Sequence, residues 1–230
     1  QEMAAAFGMV ELCIHKPFYN KINELLNISN AEFYTDYVKN PTLKARMESI
    51  DTIINHPNLL VSLACFSLVE GMVLYSNFAY LKHFQSNGKN KLLNINRGIN
   101  YSARDEALHS MAGAYIFKEA KKISSSFLPE VEEIVNTLVE HEDIITDMIF
   151  SEGDIDGITA KDMKTFVRSR ANICLANLGF EPLYKIGDNP IANWFYKGIN
   201  NYQFNDFFTG QGREYTRGWD KTKFKWVVNE

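Results

Sequence analysis

A glutamate and a histidine lie three residues apart in SARDEALHSMAGAYIF (residues 102–117), a segment otherwise rich in Ala, Leu and Met. Positions i and i+3 of a helix are about 60° apart, so Glu106 and His109 can point at one ion. The spacing also arises by chance, and a solvent-facing pair on an amphipathic helix is the alternative. Because the flanks are apolar, and burying ionisable groups is costly unless they are paired or bind metal, the segment favours a buried metal site.

A second pair, Glu11 and His15, lies in VELCIHKPFY at a spacing of four residues. Helix positions i and i+4 are about 40° apart, so these two side chains also share a face. Tyr19 follows four residues later and extends the stripe by one turn. An amphipathic helix with an incidental histidine and a core tyrosine is the alternative, and for this motif alone it is the better interpretation.

A third feature is Glu70, a single carboxylate inside the apolar run LACFSLVEGMVLYSNFAYL (residues 63–81). A buried glutamate without a partner would protonate or destabilise the fold by roughly several kcal/mol. A metal ion is one partner, and a Lys or Arg from another helix is the other. The adjacent Gly71 would allow a neighbouring helix to approach closely.

Taken together, the three motifs are more specific than any one of them. A dinuclear carboxylate site in a four-helix bundle takes a Glu-x-x-His from each of two helices and one carboxylate from each of two others. The chain offers two histidine-bearing helices and the helix of Glu70 between them. Carboxylate and imidazole ligands suit iron or manganese, so the sequence predicts a pair of these ions.

The composition limits the class of protein. With 230 residues, 46% apolar and 23% charged, the chain is long enough for one large globular domain or two small ones. A net charge of −4 gives no general attraction for nucleic acid. The widely spaced Cys13, Cys65 and Cys174 indicate buried thiols in a reducing cytoplasm. We expect no membrane span, since the apolar run ends near Glu70, and no signal peptide.

Apolar positions at a helical period predict long helices joined by short polar loops. Pro41 and Pro57 are expected to open helices, Thr159 to cap one and Gly179 to end it. No strand-like alternation is visible, so the predicted fold class is an all-α helical bundle. The predicted helices cover residues 2–26, a short segment up to about 39, then 41–54, 58–84, 92–121, 129–150, 160–178 and 190–200.

With these residues in hand, the chain resembles the small, radical-generating subunit of class I ribonucleotide reductase, a ferritin-like helical family. The similarity is strongest in VEGMVLYSNFAYL (69–81) and ARDEALHSMAGAY (103–115), and clear in IHKPFYNKINELL (14–26). It continues through NICLANLGFEPLY (172–184), NPIANWF (189–195) and NDFFTGQGREYTRG (205–218), so it covers nearly the whole chain.

The resemblance implies a dinuclear iron centre (Fe-O-Fe) or a Mn/Fe centre and a radical chemistry. It implies that Tyr19 is oxidised to a stable radical. Asp105 would belong to the hydrogen-bonded route that carries the radical equivalent to a large catalytic subunit, and Arg104 would support Asp105. The implied metal ligands are His15, Glu70, Glu106 and His109.

The chain departs from the family pattern at the first histidine motif. The family has Glu three residues before the histidine, where this chain has Leu12. We expect Glu11 to reach the metal instead, either through a local bulge of the helix or directly from four residues before His15. We therefore predict five ligands: Glu11, His15, Glu70, Glu106 and His109.

Two further departures concern the N-terminus and the tyrosine pocket. The family's earliest metal carboxylate and an early aromatic relay lie upstream of the tyrosine helix. This chain begins inside helical spacing, so we expect a cut chain or a separate polypeptide that completes the bundle. Near the tyrosine, Leu74 and Ser102 stand where bulky apolar residues are common, although Phe78 remains.

We expect residues 1–205 to form the ferritin-like dimetal domain and residues 206–230 to form a tail that contacts the large subunit. Tyr215, Trp219 and Trp226 are candidates for that contact, with packing against the bundle as the alternative. A homodimer in the cytoplasm is expected. Two other functions stay open: a related dimetal oxidase acting directly on a small or lipid-like substrate, and a non-catalytic fragment that needs a partner chain.

Overall fold

The computed structural model describes residues 2–89, 91–123, 129–205 and 212–216. Within them the fold is helical, as predicted, with two short strands near the end. The α-helices are α1 (Glu2–Val10), α2 (Lys16–Leu25), α3 (Ala31–Asp36), α4 (Pro41–Ile54), α5 (Leu59–Leu68), α6 (Leu74–Lys82), α7 (Leu93–Ile123), α8 (Pro129–Ile149), α9 (Ala160–Leu178) and α10 (Pro190–Asn200). A first π turn (Glu11–His15) joins α1 to α2, a second π turn (Val69–Val73) joins α5 to α6, and a 3₁₀ segment (His83–Gly88) follows α6.

Local capping explains where several helices begin and end. The Asn40 side chain accepts hydrogen bonds from the second and third residues of α4, and Pro41 opens that helix. Thr159 and Asp162 cap each other at the start of α9, and Gly179 ends it with φ of 89°. These boundaries confirm the predictions. The prediction that Pro57 opens a helix is wrong. The helix α5 begins at Leu59, and Asn58 is its N-cap.

Two apolar clusters hold the bundle together. The larger lies between α5, α7, α8 and α9 and includes fully buried Leu68, Phe117 and Leu138. The second lies between α6, α7, α9 and α10 and includes Ile99 and Phe195. The side chain of Tyr19 packs against this second cluster, which brings α2 onto the bundle.

The long apolar stretch from Leu59 to Gly88 contains α5, the second π turn, α6 and the 3₁₀ segment. By length and composition it could cross a membrane, with a mean hydropathy of 1.8 over its most apolar window. Yet 61% of that window is buried inside the protein. The stretch therefore forms part of the core of the bundle, and its side chains are apolar because other helices surround it.

The three cysteines are unpaired, and they differ in environment. Cys65 and Cys174 are buried as predicted, whereas Cys13 is exposed. The prediction of buried thiols is therefore wrong for Cys13, because this residue lies on the outer side of the first π turn while His15 faces inward.

A short hairpin that the sequence did not indicate follows α10. Strands β1 (Asn201–Asn205) and β2 (Gly212–Thr216) pair antiparallel, with Tyr202 opposite Tyr215. The hairpin spans the predicted domain boundary at residue 205. Tyr215 lies in β2, and Trp219 and Trp226 lie outside the described residues.

Candidate metal centre

Three segments bring the predicted ligands together. The first π turn carries Glu11 and His15, the second π turn carries Glu70, and the middle of α7 carries Glu106 and His109. A π turn adds one residue to a helical turn, and such turns occur frequently at functional sites. Both π turns here carry a carboxylate of the cluster.

His15 is held between carboxylates on both edges of its ring. Its Nδ1 atom lies 3.0 Å from Glu11 Oε1 and 3.1 Å from Glu106 Oε1. Its Nε2 atom lies 3.1 Å from Asp105 Oδ2. In the tautomer that carries its proton on Nε2 and donates it to the Asp105 carboxylate, the Nδ1 lone pair faces the two glutamates.

His109 faces the same group of carboxylates from the other side. Its Nδ1 atom lies 2.9 Å from Glu106 Oε2, 3.4 Å from Glu70 Oε2 and 3.7 Å from Glu11 Oε1. The Phe7 ring covers the imidazole, with ring centroids 4.1 Å apart. Two imidazole nitrogens thus point into one cluster of carboxylate oxygens.

The cluster is buried except at Glu11, whose side chain is 44% exposed. His15, Glu106 and His109 are buried, and the Glu70 side chain is only 13% exposed. Burial raises the pKa of the Glu106 carboxyl, and the negative charges of Glu70 and Glu11 raise it further. Burial likewise raises the pKa of Glu70. Three carboxylates so close together require positive charge or retained protons.

The donor set is of the kind that binds iron or manganese. Glu70 Oε2 and Glu106 Oε2 are buried, and although His109 Nδ1 lies 3.4 and 2.9 Å from them, neither accepts a well-aligned hydrogen bond within the described part of the chain. Atoms of Glu11, Glu106 and His109 all lie within 4.8 Å of one another, which is compatible with one shared ion. Buried lone pairs without donors, beside two imidazole nitrogens, are what an iron or manganese pair would satisfy.

The sequence left open which group pairs with Glu70 and how Glu11 reaches the cluster. The ionic contact of Glu70 within the described residues is with His109, and no Lys or Arg reaches it there. The helix at Glu11 does bulge, since residues 11–15 form a π turn, and Leu12 points outward with 62% exposure. Glu11 therefore faces the cluster although it lies four residues before His15.

Gly71 in the second π turn and Arg170 on α9 extend the site. A Cβ atom at Gly71 would overlap the side chains of Ser110 on α7 and Cys174 on α9, so the predicted close approach is confirmed. Arg170, which sequence reasoning missed, donates from Nε to the Gly71 carbonyl at 2.7 Å and stacks on Tyr75 at 3.8 Å. The sequence shows an arginine at this position but does not show its target, because Gly71 lies 99 residues away in the chain.

The remaining predicted residues surround the cluster. Asp105 is half-buried against His15. Arg104 donates from Nε and from a terminal nitrogen to the Ile199 carbonyl, at 3.0 and 2.9 Å, and so ties α7 to α10. Tyr19 is half-buried, and its hydroxyl donates to Ser102 Oγ at 3.1 Å. Burial is the main reason that the pKa of Tyr19 is raised.

A helical bundle with a buried cluster of carboxylates and histidines on facing helices defines a ferritin-like protein of the dinuclear-metal type. The family profile for the ribonucleotide reductase small chain matches residues 1–190. The chain therefore belongs to the ribonucleotide reductase small chain family, which confirms the resemblance.

Relatives in this family are similar over most of the chain. The ribonucleoside-diphosphate reductase subunit beta of Halalkalibacterium halodurans is 31% identical over 191 residues, which cover 80% of this chain and 50% of the relative. The corresponding subunit of Bacillus subtilis is 31% identical over 159 residues, covering 65% and 45%. The chain thus spans about half the length of these curated relatives.

Solved structures agree with the fold. The crystal structure of dimanganese(II)-NrdF from Streptococcus sanguinis superimposes with a TM-score of 0.62 at 26% identity. The match covers 76% of this chain and 64% of that one. Since both the sequence and the fold match, the ferritin-like prediction is confirmed.

Proposed function

We propose that this chain acts as the small subunit of a ribonucleoside-diphosphate reductase. It would hold a dinuclear iron or manganese-containing centre and form a radical on Tyr19 that starts the reduction of ribonucleotides on a large catalytic subunit. The observation that carries the proposal is the pair of imidazole Nδ1 atoms, each facing carboxylate oxygens at 2.9–3.1 Å in a buried cluster. Membership of the family supports it.

Five side chains would hold the metals: Glu11, His15, Glu70, Glu106 and His109. Glu106 contacts both histidines through its two oxygens, so it would hold metal together with each of them. When bound, the metal pair would supply, with dioxygen, the oxidising power for a tyrosine. The apolar ring of Phe7 on His109 helps to exclude water from that chemistry.

Tyr19 and Asp105 would carry the radical chemistry. The Tyr19 phenol is protonated at neutral pH, as an ordinary tyrosine is, and burial raises its pKa further, so oxidation to a neutral radical removes a proton as well as an electron. Asp105 orients His15, and its side chain is 43% exposed. It therefore links the buried cluster to the surface at which a large subunit would dock.

A second copy of the chain is the partner that we propose for the outer face of α7. Tyr101, Leu108, Met111 and Tyr115 lie on this helix at helical spacing and are 50–65% exposed. A stripe of exposed large apolar side chains is typical of a surface covered by another protein. Analytical ultracentrifugation should give a dimer that Leu108→Asp disrupts, whereas a monomer that gains mass only with another polypeptide would contradict self-association.

The decisive experiment is electron paramagnetic resonance at low temperature. The metal-free protein would be loaded with ferrous iron, or with manganese, and exposed to oxygen, and its metal content would be measured in parallel. We expect a tyrosyl signal that Tyr19→Phe abolishes while the metal content stays the same. Tyr37→Phe is the matched control, because Tyr37 is exposed at the end of α3, away from the cluster and from the proposed dimer face, and should leave the signal intact.

Other outcomes would refute specific parts of the proposal. A tyrosyl signal that persists in Tyr19→Phe would assign the radical to another residue. Metal bound without any radical would favour an oxidase that uses the centre directly. Failure to retain metal would favour a chain that needs a partner to complete the site.

The protein would work in the cytoplasm, where its three unpaired cysteines stay reduced.

A further inference from the structure

The hydroxyl of Tyr19 has one polar partner within hydrogen-bond distance among the described residues, and the side chain packs against an apolar cluster. Its oxygen donates to Ser102 Oγ at 3.1 Å, and this is its one hydrogen bond to the described residues. Ser102 is 1% exposed and lies on α7, one turn before Glu106. Around the pair lies the apolar cluster that includes Phe78 and Ile99. A serine in this setting is a specific feature, because buried hydroxyls cost free energy unless they are hydrogen-bonded.

The packing of α2 on α7 fixes the distance between the two hydroxyls. A Cβ atom at Gly98 would overlap the ring of Phe18, so the ring lies directly on the backbone of α7. Gly98 is one turn before Ser102, and Phe18 is next to Tyr19 in the chain. The same contact that holds the two helices together therefore holds the phenol within reach of the serine.

We propose that Ser102 is a positioning residue that hydrogen-bonds the Tyr19 oxygen both before and after its oxidation. This inference rests on the proposed function. Oxidation takes one electron and the hydroxyl proton from Tyr19, and the oxygen-derived oxidant of the proposed reaction accepts both. The phenol donates a hydrogen bond, whereas the resulting phenoxyl oxygen can only accept one.

A serine hydroxyl can meet both requirements. It contains one donor and two acceptor lone pairs, and the position of its hydrogen is free to rotate. Ser102 thus accepts from the phenol and donates to the radical, and neither oxygen needs to move. An alanine at this position would remove the one hydrogen-bond partner that the described residues give the Tyr19 oxygen.

The reduced state is tested in the metal-free protein. Tyrosine labelled with ¹³C at Cζ gives a nuclear magnetic resonance signal that responds to hydrogen bonding of the phenol, and Tyr19→Phe assigns the signal of Tyr19. We expect Ser102→Ala to shift that signal and Ser102→Thr, which keeps the hydroxyl, to restore it. The signals of the other tyrosines report whether the variants are folded. An unshifted Tyr19 signal in a folded Ser102→Ala protein would overturn the proposal.

The oxidised state is tested on the radical. High-field electron paramagnetic resonance of the metal-loaded protein should show coupling to an exchangeable deuteron after transfer to heavy water. Ser102→Ala should lose this coupling and raise g1, and Ser102→Thr should retain it. A wild-type radical without exchangeable coupling would overturn the proposal. Absence of any radical would refute the proposed function and the oxidised half of the inference, while the metal-free signal still decides the reduced half.

Discussion

Replacing Gly71 by alanine tests how the second π turn holds Glu70 in the cluster. The added methyl group would overlap Ser110 Oγ and Cys174 Sγ. Neither atom can retreat easily, because Ser110 Oγ donates to the Ser67 carbonyl at 2.8 Å and Cys174 is fully buried. The π turn must therefore move away from α7 and α9. This movement takes Glu70 away from His109, whose Nδ1 lies 3.4 Å from it.

The expected magnitude follows from two opposing effects. Overpacking a core site costs about 1–3 kcal/mol. The better helix propensity of alanine returns up to about 1 kcal/mol. We therefore expect a net loss of about 1–2 kcal/mol in the free energy of unfolding. Gly8→Ala in α1 is the matched control, because no atom lies within 4 Å of its added methyl group, and it should be neutral or slightly stabilising.

Two assays separate stability from ligand geometry. Urea unfolding of the metal-free protein gives the loss of stability, and metal titration gives the affinity. We expect the affinity of Gly71→Ala for the metal to fall by about 10-fold or more, as for other changes that displace a ligand's support. Gly71→Ala/Cys174→Ala removes one overlapping atom and should recover part of both losses. If Gly71→Ala unfolds and binds metal like Gly8→Ala, the close approach does not position Glu70.

Three further predictions follow from other contacts. Arg170→Met leaves the Gly71 carbonyl without its charged donor and should lower the free energy of unfolding by about 2–3 kcal/mol in urea titrations, with Arg170→Lys in between. Burial raises the pKa values of Cys65 and Tyr75 to about 12 from 9.0 and 10.0, so the folded state keeps these protons longer. Stability should therefore fall as pH rises from about 9 to 12, and less steeply in Cys65→Ala; urea midpoints across that range check the slope. A chromogenic disulfide reagent should titrate one fast thiol per native chain, and Cys13→Ser should remove it, whereas equal reactivity of all three thiols would contradict the described burial.

Much of the fold could be predicted because its signals are local. The capping residues Asn40 and Thr159 and the terminal Gly179 act on backbone groups within a few residues, so α4 and α9 have the predicted bounds. The hairpin was missed although its strands are close in the chain, because the alternation of apolar and polar residues in NYQFN lasts only five residues and GREYT shows none.

The sequence could predict which residue types form the candidate site, but not all of the contacts between them. Glu70, Glu106 and His109 were identifiable because an ionisable group in an apolar helix needs a partner. Whether Glu11 could join them depended on a π turn, and a π turn is decided by the contacts of the folded helix. The same holds for Arg170, whose partner is a backbone carbonyl that no side-chain pattern marks.

The sequence by itself determined the helical character of the fold, the ends of α4 and α9 and the residue types that can bind metal, since these depend on periodicity, capping and the cost of buried charge. Only the tertiary structure decided which atoms face one another. It placed both histidine Nδ1 atoms against carboxylates, Asp105 behind His15 and the Ser102 hydroxyl against Tyr19. The physical reason is that each of these contacts joins different helices, and its distance depends on how α2, α7 and the two π turns pack.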